Sequence, residues 1–292
     1  MATDKIYTEQ EIIEINNAFT PQYRPFYMLL KAGKVYNEKP GAITFKERGI
    51  LGDKKAADVL AQDTEIKHIA VGEKPEKKYL KILKGAEYAV STFQDNSNAQ
   101  KVDNEILDEY NKQLDSEAFT GEGTSNATVK NNGLFYSKDP DFVDKGAAAA
   151  FPTTFADRKA FIKNLAKESA DGSGGGLKRI VLLGSKLPAI FGDVIGSGTA
   201  TFADLLMSGR LSGEPPIEVV VPPAEINTTL GNVDAILVID YENVLLNHGL
   251  LPQVYQRGTE ARKNLTWTQY FFNSVMIEVA KKAALIKQLL TI

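Results

Sequence analysis

Residues 179–195 read RIVLLGSKLPAIFGDVI, in which an apolar run is followed by the pattern of a short helix. Two further apolar runs come later in the chain, IEVVVPP at 217–223 and DAILVIDY at 234–241. Short apolar runs bounded by turn residues are typical of buried strands. Between them, TATFADLLMSGR at 199–210 predicts a second short helix. This order of elements predicts a compact α/β unit in the last third of the chain.

After this unit the chain is expected to return to β structure. LLPQVYQ at 250–256 and WTQYFFNSVMIEVAKKAALIKQL at 267–289 are rich in β-branched and aromatic residues, which favour strands. The pattern over 275–290 also fits a helix, and residues 76–94 fit a helix and a strand equally well. These two segments therefore stay open at the level of sequence.

Two longer helices are predicted upstream. Residues 97–118 carry apolar side chains at steps of three or four, namely Ala99, Val102, Ile106, Tyr110 and Leu114, which is the spacing of one helix face. Asn96 or Ser97 suits the cap at the start of this helix.

The second helix is predicted from Thr154 to about Ser169, with Thr154 as its cap. Its apolar face is expected to contain Phe155, Phe161, Ile162 and Leu165. The glycine-rich stretch DGSGGG at 171–176 then predicts a flexible surface loop.

The N-terminal part contains two long polar segments with little core of their own. Residues 1–25 predict a short helix around Ile12 that Pro21 and Pro25 end, and we expect this segment to lie on its own body or on a neighbour. Extended pieces at 42–51 and 64–71 flank a charged stretch and predict a long hairpin. Structureless stretches of this length inside a compact domain are usually functional.

The composition limits the function classes. The chain has 292 residues with 34 basic and 37 acidic side chains, a net charge of −3, which argues against a dedicated nucleic-acid binder. It has no cysteine, which excludes disulfides, thiolate nucleophiles and cysteine metal sites. Its N-terminus has no apolar run, and no stretch has the roughly 18 consecutive apolar residues of a membrane span. We expect no membrane association.

Two patterns suggest ligand binding or catalysis at first sight, and both fail in detail. The glycines at 171–176 precede a strand, whereas a dinucleotide fingerprint follows one; Gly196-Ser197-Gly198 fails the same test. Ser185 follows a strand as a nucleophile would, but Leu187 stands where the second glycine of G-x-S-x-G belongs. Ser185 is more simply explained as a helix cap.

The remaining polar residues predict no catalytic, cofactor or metal site. A catalytic triad needs a histidine base, and the chain has only His68, in the charged hairpin, and His248, expected in a loop before Gly249. Asp139-Pro140-Asp141 is a turn signature. The carboxylates Asp115 and Glu122 do not form the oxygen-ligand pattern of a calcium loop.

The order of these elements resembles the major capsid proteins of tailed phages with the Hong Kong 97-type fold. After the long helix, TGEGTSNATVKNNGLFYSKDP at 120–140 is similar to a recurrent G…G-L-x-N-x-P passage of that family, with Gly121, Gly133, Leu134 and Pro140 in its places. Tyr136 and Ser137 stand where the family often has an asparagine.

The resemblance covers nearly the whole chain and implies an α+β fold in three parts. Residues 1–25 correspond to the N-terminal arm and 150–250 to an axial domain of α/β character. Residues 26–149 and 251–292 correspond to a peripheral domain, and its last segment is expected to return from the axial domain. Within the peripheral domain, about 43–75 match the hairpin called the E-loop and about 97–118 the long spine helix.

The function implied by the resemblance is that of a structural subunit rather than an enzyme. It forms hexamers and pentamers of an icosahedral head that encloses double-stranded DNA, with arms that lace capsomers together and E-loops that lie across neighbours. The E-loop residues expected to contact neighbours are Lys54, Lys55, Asp58, Asp63, Glu65 and Lys67. Lys54 and Lys55 are candidates for chemical cross-linking by position only, and we do not expect them to be used.

The resemblance also implies partners and a location. Because the chain starts directly with a short arm, scaffolding is expected to come from a separate protein. A portal protein, and in some cases decoration proteins, complete the set, and packaged DNA lies nearby without specific contacts. The expected location is the virion capsid, after assembly in the host cytoplasm.

Two alternatives remain at this level. Encapsulin nanocompartments have the same fold and enclose cargo enzymes rather than a genome. A protein of a different class, an α/β enzyme, would bind a small molecule at the end of the strand before Ser185, where open α/β sheets bind ligands.

Overall fold

The computed structural model describes residues 5–19, 36–37, 44–46, 78–80, 83–91, 96–121, 133–137, 139–195, 198–208, 213–248, 251–273 and 276–292. The helices of these ranges are α1 Glu9–Ala18, α2 Asn96–Thr120, α3 Phe155–Ser173, α4 Lys186–Gly192, α5 Phe202–Ser208 and α6 Ala224–Thr229. The strands of the first half are β1 Lys5–Ile6, β2 Tyr36–Asn37, β3 Thr44–Lys46, β4 Lys78–Leu80, β5 Leu83–Ser91, β6 Val143–Asp144 and β7 Ala149–Ala150. Those of the second half are β8 Lys178–Leu183, β9 Ile217–Val220, β10 Ala235–Asp240, β11 Val244–His248, β12 Gln253–Glu260, β13 Leu265–Asn273, β14 Met276–Val279 and β15 Leu285–Thr291.

A six-stranded sheet forms the α/β unit, with the order β6-β15-β10-β8-β9 and β7 paired to β15. Strands β8 and β10 are buried at every position, because apolar clusters cover both faces of the sheet. One cluster contains residues of α3, α4 and α5. The other contains the C-terminal part of α2 together with α6. The strands and short helices predicted over 179–241 are confirmed.

A four-stranded sheet, β1-β12-β13-β5, forms a second layer with α1 and the N-terminal half of α2. Alternate residues of β13 point toward the helices, and Tyr270 is buried there against Leu107 of α2 and Ile12 of α1. Two smaller sheets join β14-β11-β2 and β3-β4. The two open segments are thereby resolved as strands: 76–94 contains β4 and β5, and 275–290 contains β14 and β15.

The strands of the C-terminal segment lie in more than one sheet. The segment from 251 to the end of the chain was predicted to return to the peripheral domain, and β12 and β13 do lie in the four-stranded sheet. Strand β15 instead pairs antiparallel with β10 inside the six-stranded sheet. Leu285 and Ile286 are fully buried in the two clusters on opposite faces, so this strand needs cover on both sides. The division into arm, peripheral and axial domains itself stays a prediction.

The two long helices are confirmed, with corrections to their ends and faces. Helix α2 begins at Asn96, so this residue and Ser97 are its first residues rather than its cap. Leu114 of the predicted face is buried, and the buried stripe also contains Asp103, Leu107 and Ala118. Asp103 can be buried because it has an ionic partner in the sheet below. Residues Val102, Ile106 and Tyr110 of the predicted face lie on its half-buried flank.

Helix α3 begins as predicted, with Thr154 accepting a hydrogen bond from the backbone of Asp157. Ile162 and Leu165 are buried, whereas Phe155 of the predicted apolar face is exposed. The helix continues to Ser173, so the first half of the predicted glycine loop is its last turn. Ser173 is buried, and the prediction of a flexible surface loop at 171–173 was wrong.

The passage after α2 shows why glycines stand where the resemblance places them. Gly121 ends the helix with φ +73° and donates to the carbonyl of Glu117, a left-handed terminus that glycine adopts without a Cβ penalty. Gly133 also has positive φ, and its Cα lies against the Phe119 carbonyl. The next two amides, of Leu134 and Phe135, donate to the carbonyls of Ala118 and Phe119 at 2.8 and 2.9 Å. This loop therefore pairs carbonyls that the end of a helix leaves open.

Replacing Gly133 with alanine should destabilise the protein strongly. A Cβ at Gly133, where φ is +66°, would lie 2.4 Å from the Phe119 oxygen and the Gly121 nitrogen. The left-handed conformation and the forced backbone shift together should lower the free energy of unfolding by about 3 kcal/mol. Urea unfolding followed by circular dichroism measures the difference.

Gly146→Ala is the matched control. Gly146 has nearly the same φ, +68°, but nothing lies within 4 Å of the position of its Cβ. It should lose only the conformational part, about 1 kcal/mol. An equal decrease in the free energy of unfolding in the two variants would show that the contact of Gly133 with the end of α2 does not contribute to stability.

Candidate assembly surfaces

The described part of the N-terminal segment, 5–19, folds onto its own subunit. Strand β1 pairs antiparallel with β12, with Ile6 opposite Gly258. Thr8 then caps α1, and the Glu11 carboxylate accepts a hydrogen bond from the Thr8 amide in a capping box. The ion pair with Lys5 and the bond from Thr8 lower the pKa of Glu11 to about 2, so this start of the helix keeps its charge pairing through the mildly acidic range.

Asn16 completes the cover over the edge of β12. Its side chain accepts from the Val254 amide and donates to the Val254 carbonyl, both at 2.9 Å. The Asn16 side chain thereby makes the pair of hydrogen bonds that a backbone residue of a neighbouring strand would make. Val254 lies next to Tyr255, which forms a bulge in the pairing of β12 with β13. Sheet edges with open amides and carbonyls invite pairing with other chains, and β1 and Asn16 close this one.

Of the two arrangements expected for the N-terminal segment, residues 5–19 show the one in which the segment lies on its own chain. The segment was expected to lie on its own body or on a neighbour, and 5–19 lie on their own sheet with Ile12 buried against Val254 and Tyr270. The remaining residues of the expected arm, 1–4 and 20–25, lie outside the described residues. That the arm laces capsomers together stays a prediction.

A buried polar network fixes α2 on the four-stranded sheet. Asp103 of α2 forms an ion pair with Arg257 of β12 and accepts a hydrogen bond from the Tyr270 hydroxyl at 2.5 Å. The Nε of Arg257 also donates to Thr268 at 3.0 Å. Burial, and then the bond to Asp103, raise the pKa of Tyr270 above its usual range, so this hydroxyl stays a donor. The network holds the helix in one register on the sheet.

The other face of this sheet carries exposed apolar side chains. Trp267 lies across Gly258 and Phe271 across Gly85, where a Cβ would meet the rings at 2.4 and 2.1 Å. Tyr255 stacks on Phe271 with ring centres 4.8 Å apart and is 56% exposed. Ile6, opposite Gly258, is 64% exposed. Residues paired across strands share a face, so these side chains form one outer surface.

The E-loop candidates cannot be placed on this frame. Strands β3 and β4 pair antiparallel, with Phe45 opposite Tyr79, which is the pairing expected at the base of a long hairpin. Lys54, Lys55, Asp58, Asp63, Glu65 and Lys67 lie outside the described residues. Their role as contacts to neighbours stays a prediction.

The structure describes some of the positions considered for catalysis or metal binding. Ser185 is exposed at the start of α4 and makes no side-chain capping bond, so its position is as predicted but its hydroxyl does not cap. His248 is the last residue of β11, paired beside Asn37, and not in a loop. His68 and Glu122 lie outside the described residues. The turn at Asp139 is confirmed, with its carboxylate accepting from the Asp141 amide at 2.9 Å.

Within the ranges that the structure describes, no three histidine or acidic side chains are grouped so that they could hold a metal ion. The same ranges contain no helix with the length and hydropathy needed to span a membrane. These are findings about the described parts of the chain alone.

Sequence analysis missed a buried ionic cluster at the end of α3. Lys178 and Asp240 are both fully buried and form an ion pair, and Ser173 donates to the same carboxylate. Lys178 also donates to the Ser173 hydroxyl at 2.9 Å and to the Gly174 carbonyl at 2.7 Å. The available signal was weak: a lysine opens the apolar run KRIVLL and an aspartate closes AILVID.

Asp240 is the centre of this cluster. Its second oxygen accepts from the amides of Glu242 and Asn243 at 3.0 and 3.2 Å. Burial raises the pKa of Asp240, but the hydrogen bonds from Lys178, Ser173 and Asn243 outweigh it and hold the pKa below its usual value. A carboxylate with a lowered pKa stabilises the folded state above its unfolded pKa and loses that contribution as the pH falls through its folded pKa.

Asn16→Ala should loosen the N-terminal segment. It removes both bonds to Val254 and leaves a partly buried amide and carbonyl without them, which should cost about 1–3 kcal/mol. Hydrogen exchange measures the result: the Val254 amide and residues 9–18 should lose about tenfold or more in protection.

Asn17→Ala is the control, because Asn17 is exposed on the same helix turn and its loss should change stability by less than about 0.5 kcal/mol. Unchanged protection of Val254 in Asn16→Ala would contradict the role of Asn16 as a cover of the strand edge.

No protein-family model matches the chain, and no curated protein sequence matches it either. Solved structures do match. The capsid of Myoviridae phage XM1 is similar with a TM-score of 0.64 at 13% identity, over 94% of each chain. The capsid of a native GTA particle gives 0.55 at 16% identity, over 94% of this chain and 93% of that chain. A virus-like particle from Pyrococcus furiosus gives 0.56 at 10% identity, over 96% of each.

These similarities extend over nearly the whole chain. At such low identity they concern the fold. They confirm the expectation drawn from the order of elements: the chain has the Hong Kong 97-type fold of tailed-phage capsid proteins.

Proposed function

We propose that the chain is a major capsid protein, a structural subunit that assembles into hexamers and pentamers of an icosahedral phage head. The observation that carries the proposal is the match to the phage XM1 capsid over 94% of both chains. A fold alone does not imply a function, but this match leaves little of either chain outside the shared architecture. The matched structures are capsids and shell particles and not enzymes.

The surface of the subunit supports assembly. Ile6, Tyr255, Val194 and Val221 are each more than half exposed. Ile6 and Tyr255 lie on one sheet face with Trp267 and Phe271, and exposed apolar surface that is grouped in this way is typical of contact sites. The six charged residues of the E-loop segment, 54–67, are proposed to contact neighbouring subunits as well.

The same proposal extends to partners and contents. With a net charge of −3, the subunit is suited to enclose double-stranded DNA without binding it through a basic surface. Scaffolding, portal and decoration proteins are its proposed partners, the virion capsid its location and the host cytoplasm its place of assembly. A cargo-enclosing compartment is the alternative; the matched phage and GTA capsids do not favour it over a phage head.

The purified chain should assemble into closed shells. Negative-stain electron microscopy and analytical ultracentrifugation should show uniform hollow particles or hexameric and pentameric rings, because the apolar outer surface is buried only between subunits. Interfaces of such permanent assemblies bury about 2,000–5,000 Å², so the particles should persist on dilution. Dissociation in urea and reassembly on its removal distinguish shells from aggregates.

A monodisperse monomer or dimer, unchanged after co-expression with neighbouring genes for candidate scaffolding proteins, would contradict the proposal. Particles purified from the native source separate the two kinds of content. Double-stranded DNA inside supports the phage head, and an enclosed enzyme without DNA supports the cargo compartment.

A further inference from the structure

A continuous two-stranded ribbon runs from the six-stranded sheet into the sheet β14-β11-β2. Strand β10 pairs antiparallel with β15, and their direct continuations β11 and β14 pair with each other. The register changes between the two parts: Ile239 is opposite Leu285, whereas Val244 is opposite Val279. Residues 240–243 separate these two pairs on one side of the ribbon, and residues 280–284 separate them on the other side, which is therefore one residue longer. The extra residue is a bulge, which bends a ribbon.

The bend is built from unusual backbone. Ala283 has φ +57°, a left-handed conformation that residues other than glycine seldom adopt. The neighbouring Lys282 carbonyl lies so close to Gly172 of α3 that a Cβ there would be 2.5 Å away. Backbone bonds still cross the bend, from Asp240 to Ala284 at 2.7 Å and from Ala280 to Asn243 at 2.8 Å. We call residues 240–243 and 280–284 the joint.

The two faces of the ribbon differ at the joint. On one face, the apolar cluster continues from Leu237 and Ile239 across to Val244 and Val279. On the other face, the apolar residues Ile236 and Val238 are followed by Asp240. Asp240 is opposite Lys178 in the strand register, and the last turn of α3 covers both through Ser173. On this face, polar contacts therefore join the apolar packing where the ribbon bends.

The charged groups around Asp240 come from each element packed against it. Strand β8 supplies Lys178, and the second strand of the joint supplies Lys281, whose Nζ donates to the Ser173 carbonyl at 3.0 Å. Within its own loop, Glu242 lies against Gly176, 3.4 Å from the position of its Cβ, and Asn243 donates to the Ser173 carbonyl. Arg179, on the other face of β8, pairs with Glu218 and stacks on Tyr241.

We propose that the cluster of Ser173, Lys178 and Asp240 is a latch that fixes the bend of this ribbon, and that releasing it lets the two sheets change their relative angle at the joint. Hydrogen bonds and ion pairs are directional, so they hold one geometry where apolar contacts would allow several. The proposal concerns the subunit alone and does not depend on the proposed function.

Lowering the pH should open the latch in the wild-type chain, because it protonates Asp240. Hydrogen bonds hold the pKa of Asp240 below its usual value of 3.8, so the latch is fully closed above about pH 4 and opens as the pH falls through the lower, folded value. Protonation of Asp240 removes the negative partner that Lys178 has in the buried ion pair.

Hydrogen exchange of the full chain at a series of pH values, expressed as protection relative to the intrinsic rate, tests the latch. The reporters are the joint amides of Asp240, Tyr241 and Ala280, and the references are Val181 and Val238 in the centre of the sheet. As the pH is lowered from about 6 until it has passed the folded pKa of Asp240, the joint amides should lose protection about tenfold or more while the references keep theirs.

Two variants separate a latch from a general contribution to stability. Asp240→Asn should lower the protection of the joint amides at neutral pH and leave the references unchanged. The double variant Lys178→Met/Asp240→Leu replaces the ion pair by apolar side chains, which folded proteins often tolerate well, and should make the joint protection independent of pH. If Asp240→Asn does not fold, the acid series and the double variant still decide the question.

Three results would overturn the proposal. One is an equal loss of protection at the joint and at the references, in acid or in Asp240→Asn, since the cluster would then serve global stability alone. Another is a joint that keeps its protection in acid. The third is a double variant that shows the same acid response as the wild type, since the response would then arise from other carboxylates.

Discussion

The N-terminal half of α2 packs Leu107 against Val254 and Tyr270 of the four-stranded sheet, and its C-terminal half packs Leu114 and Phe119 beneath the six-stranded sheet. At 1.5 Å per residue, its 25 residues span about 37 Å. A helix of this length can contribute to two cores only if its rotation about its axis suits both. The ion pair between Asp103 and Arg257 sets that rotation at one end, and the loop at Gly133 closes the other end.

The parts of the fold that sequence predicts are those decided by local patterns. Strands β8 and β10 are recognisable because every position from 180 to 183 and from 235 to 239 is apolar, and α3 is recognisable from Thr154 and the spacing of Ile162 and Leu165. The pairing of β15 with β10 was not predicted, because β10 lies 45 residues or more earlier in the chain. Which of two sheets accepts a strand depends on where a partner is missing, and this information is not local.

The residues missed at the candidate sites have a common physical reason. A lysine at the start of a strand reads as an exposed boundary, and DGSGGG reads as a loop. In the structure, Lys178 is buried because Asp240 stands opposite it, and Ser173 is helical because its hydroxyl and the Gly174 carbonyl both have partners there. The burial of each of Ser173, Lys178 and Asp240 therefore depends on its contacts with the other two. The role of Asn16 is similar, since its function depends on a strand edge 238 residues away.

Helix α2 joins the four-stranded sheet to the six-stranded sheet, and the bent ribbon joins the six-stranded sheet to the sheet β14-β11-β2. The four-stranded sheet is closed along β12 by β1 and Asn16, so contacts with other chains are directed to its outer face, where Ile6, Trp267 and Tyr255 lie. Surfaces made of side chains allow one mode of contact between chains, whereas open strand edges can pair in several registers. The ribbon at Asp240 is a place where the backbone departs from regular pairing. A change of shape of the proposed kind would concentrate at this joint, while α2 keeps its packing on the four-stranded and six-stranded sheets.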